Sequence, residues 1–325
     1  MSKNIIIGMD EAGLGPKLGP LVISMNLFET ERDLQALSMK EIMSDVLALD
    51  AGLDSIRVRV MDSKILYRGV HGFAFLEKTA LSFWYACHQT IPPTLGAWLS
   101  GTCPEVAAHL EECPWYGPDP LRLTLPRIVH PELIVKSGIA IREVMERTET
   151  WLVSIKQKVL TAPVLNRMID RLGLKSEAEM EALFSMLAQA LDEHQSRLFQ
   201  VEIDKLGGRN FYAGPITRFL QATQIHALEE GPQASTYIFP CNHSQVDIRF
   251  LCKGDSRKFH IALASIMSKY VRELFMFLLN RYWRSLLPEI RPTAGYPVDA
   301  SRFLREVTPR ALEAGLDPSL FTRIK

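Results

Sequence analysis

A short apolar run, Ile5–Ile7, leads directly into Asp10 and Glu11, and Gly13, Gly15, Pro16, Gly19 and Pro20 follow at once. The chain therefore delivers two adjacent carboxylates to the end of an expected strand and then turns. Neighbouring side chains on a straight strand point to opposite faces. Asp10 and Glu11 can thus meet one ion only if the backbone bends there, and the glycines, which reach φ > 0 without steric cost, allow that bend. Taken alone, the pair also suits an ordinary strand ending in a polar turn.

A chain of 325 residues with 47% hydrophobic content is long enough for a full core in one large or two modest domains. Lys plus Arg and Asp plus Glu both total 37. No overall positive field draws it to polyanions, so any nucleic-acid contact must rest on local basic clusters. The cysteines, Cys87, Cys103, Cys113, Cys241 and Cys252, are odd in number and contain no C-x-x-C, which argues for reduced thiols. Cys87-His88 and Cys241 with His243 lack the second paired half of a zinc site. The apolar stretch after Lys3 is too short for a secretory signal, and no segment approaches the roughly 18 apolar residues of a membrane span. A cytoplasmic protein without a membrane partner is expected.

Leu21 to Phe28 reads as a second strand and Thr30 to Ala51 as mostly helix, with Thr30 as N-cap. Ile56 to Met61 alternates apolar residues with Arg57 and Arg59, a strand pattern running into Asp62-Ser63-Lys64. Phe73 to His88 is apolar at helical spacing. Residues 91–126 turn rich in Pro, Gly and Cys and carry Trp98, Trp115 and Tyr116. That stretch reads as irregular, and residues 89–150 as an insertion or small subdomain that offers a protein-partner surface between catalytic segments 1–88 and 151–325. Trp98 and Trp115 could serve as exposed contacts there or form a satellite core. Trp151 to Val159 reads as a strand, and Pro163 to Leu191 as helix broken around Gly173. Phe199 to Ile203 is a strand that ends at Asp204 before Gly207-Gly208, repeating the opening arrangement of strand, carboxylate and glycine turn. From His260 to about Leu287 a long helix sets Leu263, Ile266, Met267, Tyr270, Leu274, Phe277 and Leu278 on one stripe. Lys269 and Glu273 fall on the opposite side as an ordinary solvated pair.

In order along the chain stand Gly-Met-Asp10-Glu11-Ala-Gly-Leu-Gly-Pro, Asp62-Ser63-Lys64, Asp204 after a strand, Gly254-Asp255 ahead of Ile261 to Glu273, and Gly295-Tyr296-Pro297. This succession resembles the type 2 ribonucleases H, ribonuclease HII and ribonuclease HIII, at both ends and the middle of the chain. The resemblance implies an α/β ribonuclease H-like fold, a mixed five-stranded sheet flanked by helices, here with an insertion. It implies four catalytic, metal-binding carboxylates meeting at one edge: Asp10, Glu11, Asp204 and Glu273. Glu at the fourth position resembles the HIII type, although the extra N-terminal substrate-binding domain of that type is not expected here.

In the family the glycine turn reads 2′-hydroxyl groups largely through backbone atoms, which assigns that role to Gly13 and Gly15. Leu14 departs from the Arg typical of ribonuclease HII, which puts recognition of a single ribonucleotide in doubt. Clustered carboxylates repel one another unless cations neutralise them, and their hard oxygen ligands suit Mg²⁺ or Mn²⁺. The resemblance therefore implies two-metal hydrolysis of the RNA strand of an RNA/DNA hybrid. Lys64 and Lys269 are candidate phosphate contacts, and Tyr296 a candidate contact to sugar or base. Two alternatives stay open: a metal-dependent nuclease of the same fold acting on another structured nucleic acid, and a non-catalytic nucleic-acid-binding or protein-binding module.

Overall fold

In the computed structural model, residues 3–32, 38–194, 198–241 and 244–324 are described; His243 and part of the 30–51 helix expectation lie outside them. Strands β1 (Asn4–Ala12), β2 (Leu21–Thr30), β3 (Thr150–Leu160), β4 (Leu198–Asp204), β5 (His226–Glu230), β6 (Ala234–Cys241) and β7 (Ser244–Leu251) form one mixed sheet in the order β3-β2-β1-β4-β7-β6-β5. β1, β2 and β3 make an antiparallel meander. β4 runs parallel to β1 and β7 parallel to β4, while β6 and β5 return antiparallel. The expected sheet had five strands; seven are present, because the hairpin of β5 and β6 extends it past β7. Nothing in His226-Ala-Leu-Glu-Glu favours a strand, and all of β5 is exposed. Only its pairing to β6 makes it one.

Helices cover both faces. Ile5, Ile7 and Met9 of β1 share a core with the helices Ala162–Leu172 and Lys175–Glu193, which break at Gly173 as anticipated. On the opposite face the helix Phe259–Leu286 lies so close that a Cβ on Gly8 would sit 2.4 Å from the main chain of His260. That helix is buried on nearly every side, Ser265, Ser268, Lys269 and Arg272 included. The solvated face expected for Lys269 and Glu273 is therefore covered.

Three further expectations are corrected. β2 continues through Thr30, so Thr30 caps no helix, and the described helix in that region is Met39–Ile42. Residues 56–61 form no strand; Val58 makes one isolated bridge to Leu47, for want of a sheet edge to join. Residues 91–126, expected to be irregular, carry the helices Leu95–Thr102, Ala107–Leu110 and Pro118–Leu121, and Pro131–Thr148 is a further helix of the 89–150 segment. Trp98 is fully buried, stacked on Trp84 and donating its indole N–H to Gln157 of β3 at 2.7 Å. Trp115 is buried among Tyr116, Tyr282, Trp283 and Phe321. These aromatics belong to the main core and form no exposed clamp, because large apolar rings gain most from burial.

Candidate active site

β1 does not bend at its carboxylates. It stays paired with β2 as far as Ala12 opposite Val22, whereas its pairing with β4 stops at Met9 opposite Ile203. Asp10 and Glu11 thus overrun their parallel neighbour, and alternation turns Asp10 to the Phe259–Leu286 side and Glu11 to the Lys175–Glu193 side. They come together because both overhang the open end of β4, without the kink the sequence suggested. The Phe259–Leu286 helix fixes Asp10 from behind: Ser268 Oγ donates to its carbonyl at 3.0 Å, and Ser265 hydrogen-bonds its carboxylate.

Asp204 closes β4, and its carboxylate accepts the Gly254 N–H at 2.6 Å. A Cβ on Gly254 would lie 2.7 Å from Ile261 and 3.3 Å from the Asp204 carboxylate, so the approach needs glycine. Asp255 follows, just beyond the end of β7. Burial, then the charges of Glu11 and Asp204, hold Asp10 well above the usual carboxylate range. Burial pushes Asp204 up to about 6 against the Gly254 hydrogen bond, with Glu11 and Asp255 adding to the rise. Asp255 is raised by burial and by Asp62. Lys64 sits among them: burial opposes its charge, but Asp10, Glu11, Asp255 and Asp62 outweigh it and raise its pKa. Asp204, Asp255 and Lys64, with Lys205 and Lys253, line an open cleft of 660 Å³.

Among the described residues no three His, Cys, Asp or Glu side chains are grouped so as to hold a metal ion as they stand. The chemistry of the donor set nevertheless fits a hard divalent cation, being all carboxylate oxygen and mutually repulsive without one.

Glu273 stands elsewhere. Its carboxylate accepts from Lys269 Nζ at 2.5 Å, Tyr67 Oη at 2.8 Å and Arg272 Nη1 at 3.3 Å, and the leading charges on Asp10 and Asp204 are other acids and Lys64. The helix explains this: Ser268 is the residue level with Asp10, and five residues further on the axis has advanced roughly 8 Å. Lys269 is bound up in the same cluster, its ammonium 4.3 Å from the Tyr67 ring centroid. The carboxylate that joins Asp204 is Asp255, which the sequence reading passed over as part of a motif. Its signal was a glycine and a carboxylate just after a strand, the same ingredients that stand at the ends of β1 and β4, there with the carboxylate first.

Behind the glycine turn stand two buried arginines that sequence reasoning missed. The Arg323 guanidinium donates to the carbonyls of Gly13, Pro16 and Gly19. Arg272 packs under Gly13, which has φ +100°, so closely that a Cβ there would lie 2.5 Å from Nε. Gly295 O accepts the N–H groups of Lys17 and Leu18, docking the Gly295-Tyr296-Pro297 segment on the turn and leaving Tyr296 half exposed. Gly15 is exposed and uncrowded, while Leu14 packs partly on the core.

No family model matches the sequence and no curated protein matches it. Among solved structures, the chain is similar to ribonuclease H2 from Pyrococcus horikoshii, at 15% identity over 98% of this chain and 92% of that one, with a TM-score of 0.44. It is also similar to ribonuclease HII from Archaeoglobus fulgidus, seen in complex with PCNA, at 12% identity over 99% and 94% of the two chains and a TM-score of 0.39. Bst ribonuclease HIII in complex with Mn²⁺ matches at 16% identity over 98% of this chain and 66% of that one, again with a TM-score of 0.39. The chain is thus similar to solved ribonucleases of the HII and HIII types.

Proposed function

We propose that this protein is a divalent-cation-dependent endonuclease that cleaves the RNA strand of RNA/DNA hybrids, with Asp10, Glu11, Asp204 and Asp255 as the cation ligands. The observation that carries the reading is the convergence of these four acids where β1, β4 and β7 end, with Asp10, Asp204 and Asp255 all raised by burial and by neighbouring negative charge. Such an arrangement is costly for the chain alone and is relieved by cations. Mg²⁺ or Mn²⁺ bound there would activate water and stabilise the departing 3′ oxygen.

The chain's own residues do the rest. Asp10 is held in place by Ser265 and Ser268, and Asp204 by the Gly254 N–H. Lys64, Lys205 and Lys253 supply local positive charge for phosphates on a molecule whose total charge is balanced. The turn around Gly13, Leu14 and Gly15, stiffened from behind by Arg323, offers backbone groups to 2′-hydroxyls, and Tyr296 offers a ring beside it. Leu14 supplies no charge-assisted contact, a contribution of roughly 1.5–3 kcal/mol where an arginine makes one.

The test is cleavage of labelled RNA/DNA hybrid, duplex DNA with one ribonucleotide, double-stranded RNA and double-stranded DNA, with Mg²⁺ or Mn²⁺ titrated in. Continuous hybrid should be cut at least about tenfold faster than the single-ribonucleotide duplex, the factor that ~1.4 kcal/mol represents, and Leu14→Arg should narrow the gap. No cleavage of any substrate at any cation concentration would overturn the enzymatic reading. Preference for another duplex would keep the nuclease and replace the substrate.

A further inference from the structure

One more carboxylate faces this edge and has no role in the site described so far. Glu179 lies on the Lys175–Glu193 helix, the one that covers the sheet face towards which Glu11 points. It is 1% exposed, and neither of its carboxylate oxygens has a hydrogen-bond partner. The groups that act on it electrostatically are Glu11, Asp204 and, in the favourable sense, Lys175 one turn earlier on the same helix.

A carboxylate buried with both oxygens unsatisfied is among the more expensive arrangements a core can contain, charged or neutral, since even the protonated acid needs a partner for its O–H. An apolar residue of the same size would fill the position at no such cost. Lys175 does not resolve it: burial lowers its pKa to about 8, with the Arg323 charge acting in the same direction, and no hydrogen bond joins it to Glu179. A group that satisfies both oxygens comes from outside the chain, and a cation drawn there by Glu11 and Asp204 would do so.

We propose that Glu179 is a fifth cation-binding carboxylate, which together with Glu11 holds a divalent ion on the Lys175–Glu193 side of the sheet, within the field of Asp204. The inference rests on the reading of Asp10, Glu11, Asp204 and Asp255 as a cation site and adds a ligand from a helix that reading does not use. The acid edge is then served from both faces, with Asp10 approached from the Phe259–Leu286 helix and Glu11 from Glu179.

The experiment is calorimetric titration of Mn²⁺ into the metal-free full chain, comparing the natural protein with Glu179→Gln and Glu179→Met, alongside thermal melts without metal. Both variants should fold, with metal-free melting no lower than that of the natural protein, because an unsatisfied buried acid has been removed. Both should lose one bound Mn²⁺ or bind it at least tenfold more weakly. Unchanged stoichiometry and affinity in the variants would overturn the role of Glu179 and leave the four-acid site standing. Unfolding of both variants would assign Glu179 to the core and overturn it as well. Absence of Mn²⁺ binding by the natural protein would overturn the four-acid reading, and this inference with it.

Discussion

Glu202 and Asp204 are two residues apart on β4 and face the same helix, yet their environments are opposite. Glu202 is fully buried and surrounded by partners the chain supplies: Lys258 Nζ at 2.9 Å, Arg249 at 3.8 Å and, as a hydrogen-bond partner, His260 Nε2 at 2.6 Å. Burial works against its charge, but these partners win and hold it down at about 2. Asp204 has one backbone N–H and the charge of Lys64 in its favour, set against Glu11 and Asp255, so burial wins and lifts it to about 6. One strand thus carries a carboxylate neutralised from within and another whose neutralisation has to come from outside. The first is a structural ion pair; the second has the electrostatics of a cation ligand.

The comparison breaks most visibly at Glu202. Glu202→Gln leaves Lys258 without its counter-charge and the nearly buried His260 without its carboxylate partner, and removing one partner of a buried pair costs about 3–5 kcal/mol. Chemical denaturation should show that loss, and a variant as stable as the natural protein would mean the pair adds nothing. Asp10→Asn should do the reverse: folding in metal-free buffer unchanged or stronger, and cation-dependent cleavage down by at least about 100-fold, the upper range for disturbing even an outer partner of a metal ligand. Retained turnover in that variant would sink the site.

A finer cut compares Asp255→Asn with Glu273→Gln. The first should lose most cleavage activity and Mn²⁺ affinity. The second, whose carboxylate is already paired with Lys269 and Tyr67, should keep activity within about tenfold, an allowance of ~1.4 kcal/mol. Parity between the two would return Glu273 to the site.

The smallest effect is one of pH. Asp204 has its folded pKa raised, so the native state binds the extra proton; metal-free stability should fall as pH rises from about 4 through 6. Glu202 has its folded pKa lowered, so its contribution is present above the ordinary carboxylate range and is lost as pH falls towards 2. Mn²⁺ affinity should weaken below pH 6, where cations compete with protons at Asp204. A pH-independent affinity between 5 and 8 would show that Asp204 is not a ligand.

The strands that carry Asp10, Glu11 and Asp204, the break at Gly173 and the long helix are legible in the sequence, because period-2 and period-3.6 patterning and glycine turns are local signals. The order of strand, carboxylate and glycine also marked the acid edge. Tertiary structure decided what local pattern does not encode. Whether Lys269 and Glu273 face water depends on what packs over a helix, and the same holds for Trp98 and Trp115 in a proline-rich segment. Which acid joins Asp204 depends on the end of β7 lying beside the end of β4, a pairing between strands some 40 residues apart. The carboxylate of Glu179 sits in the second turn of its helix in a sequence that reads as an ordinary amphipathic pattern, and only the packing of that helix over the sheet leaves it buried, unpartnered and within the field of Glu11.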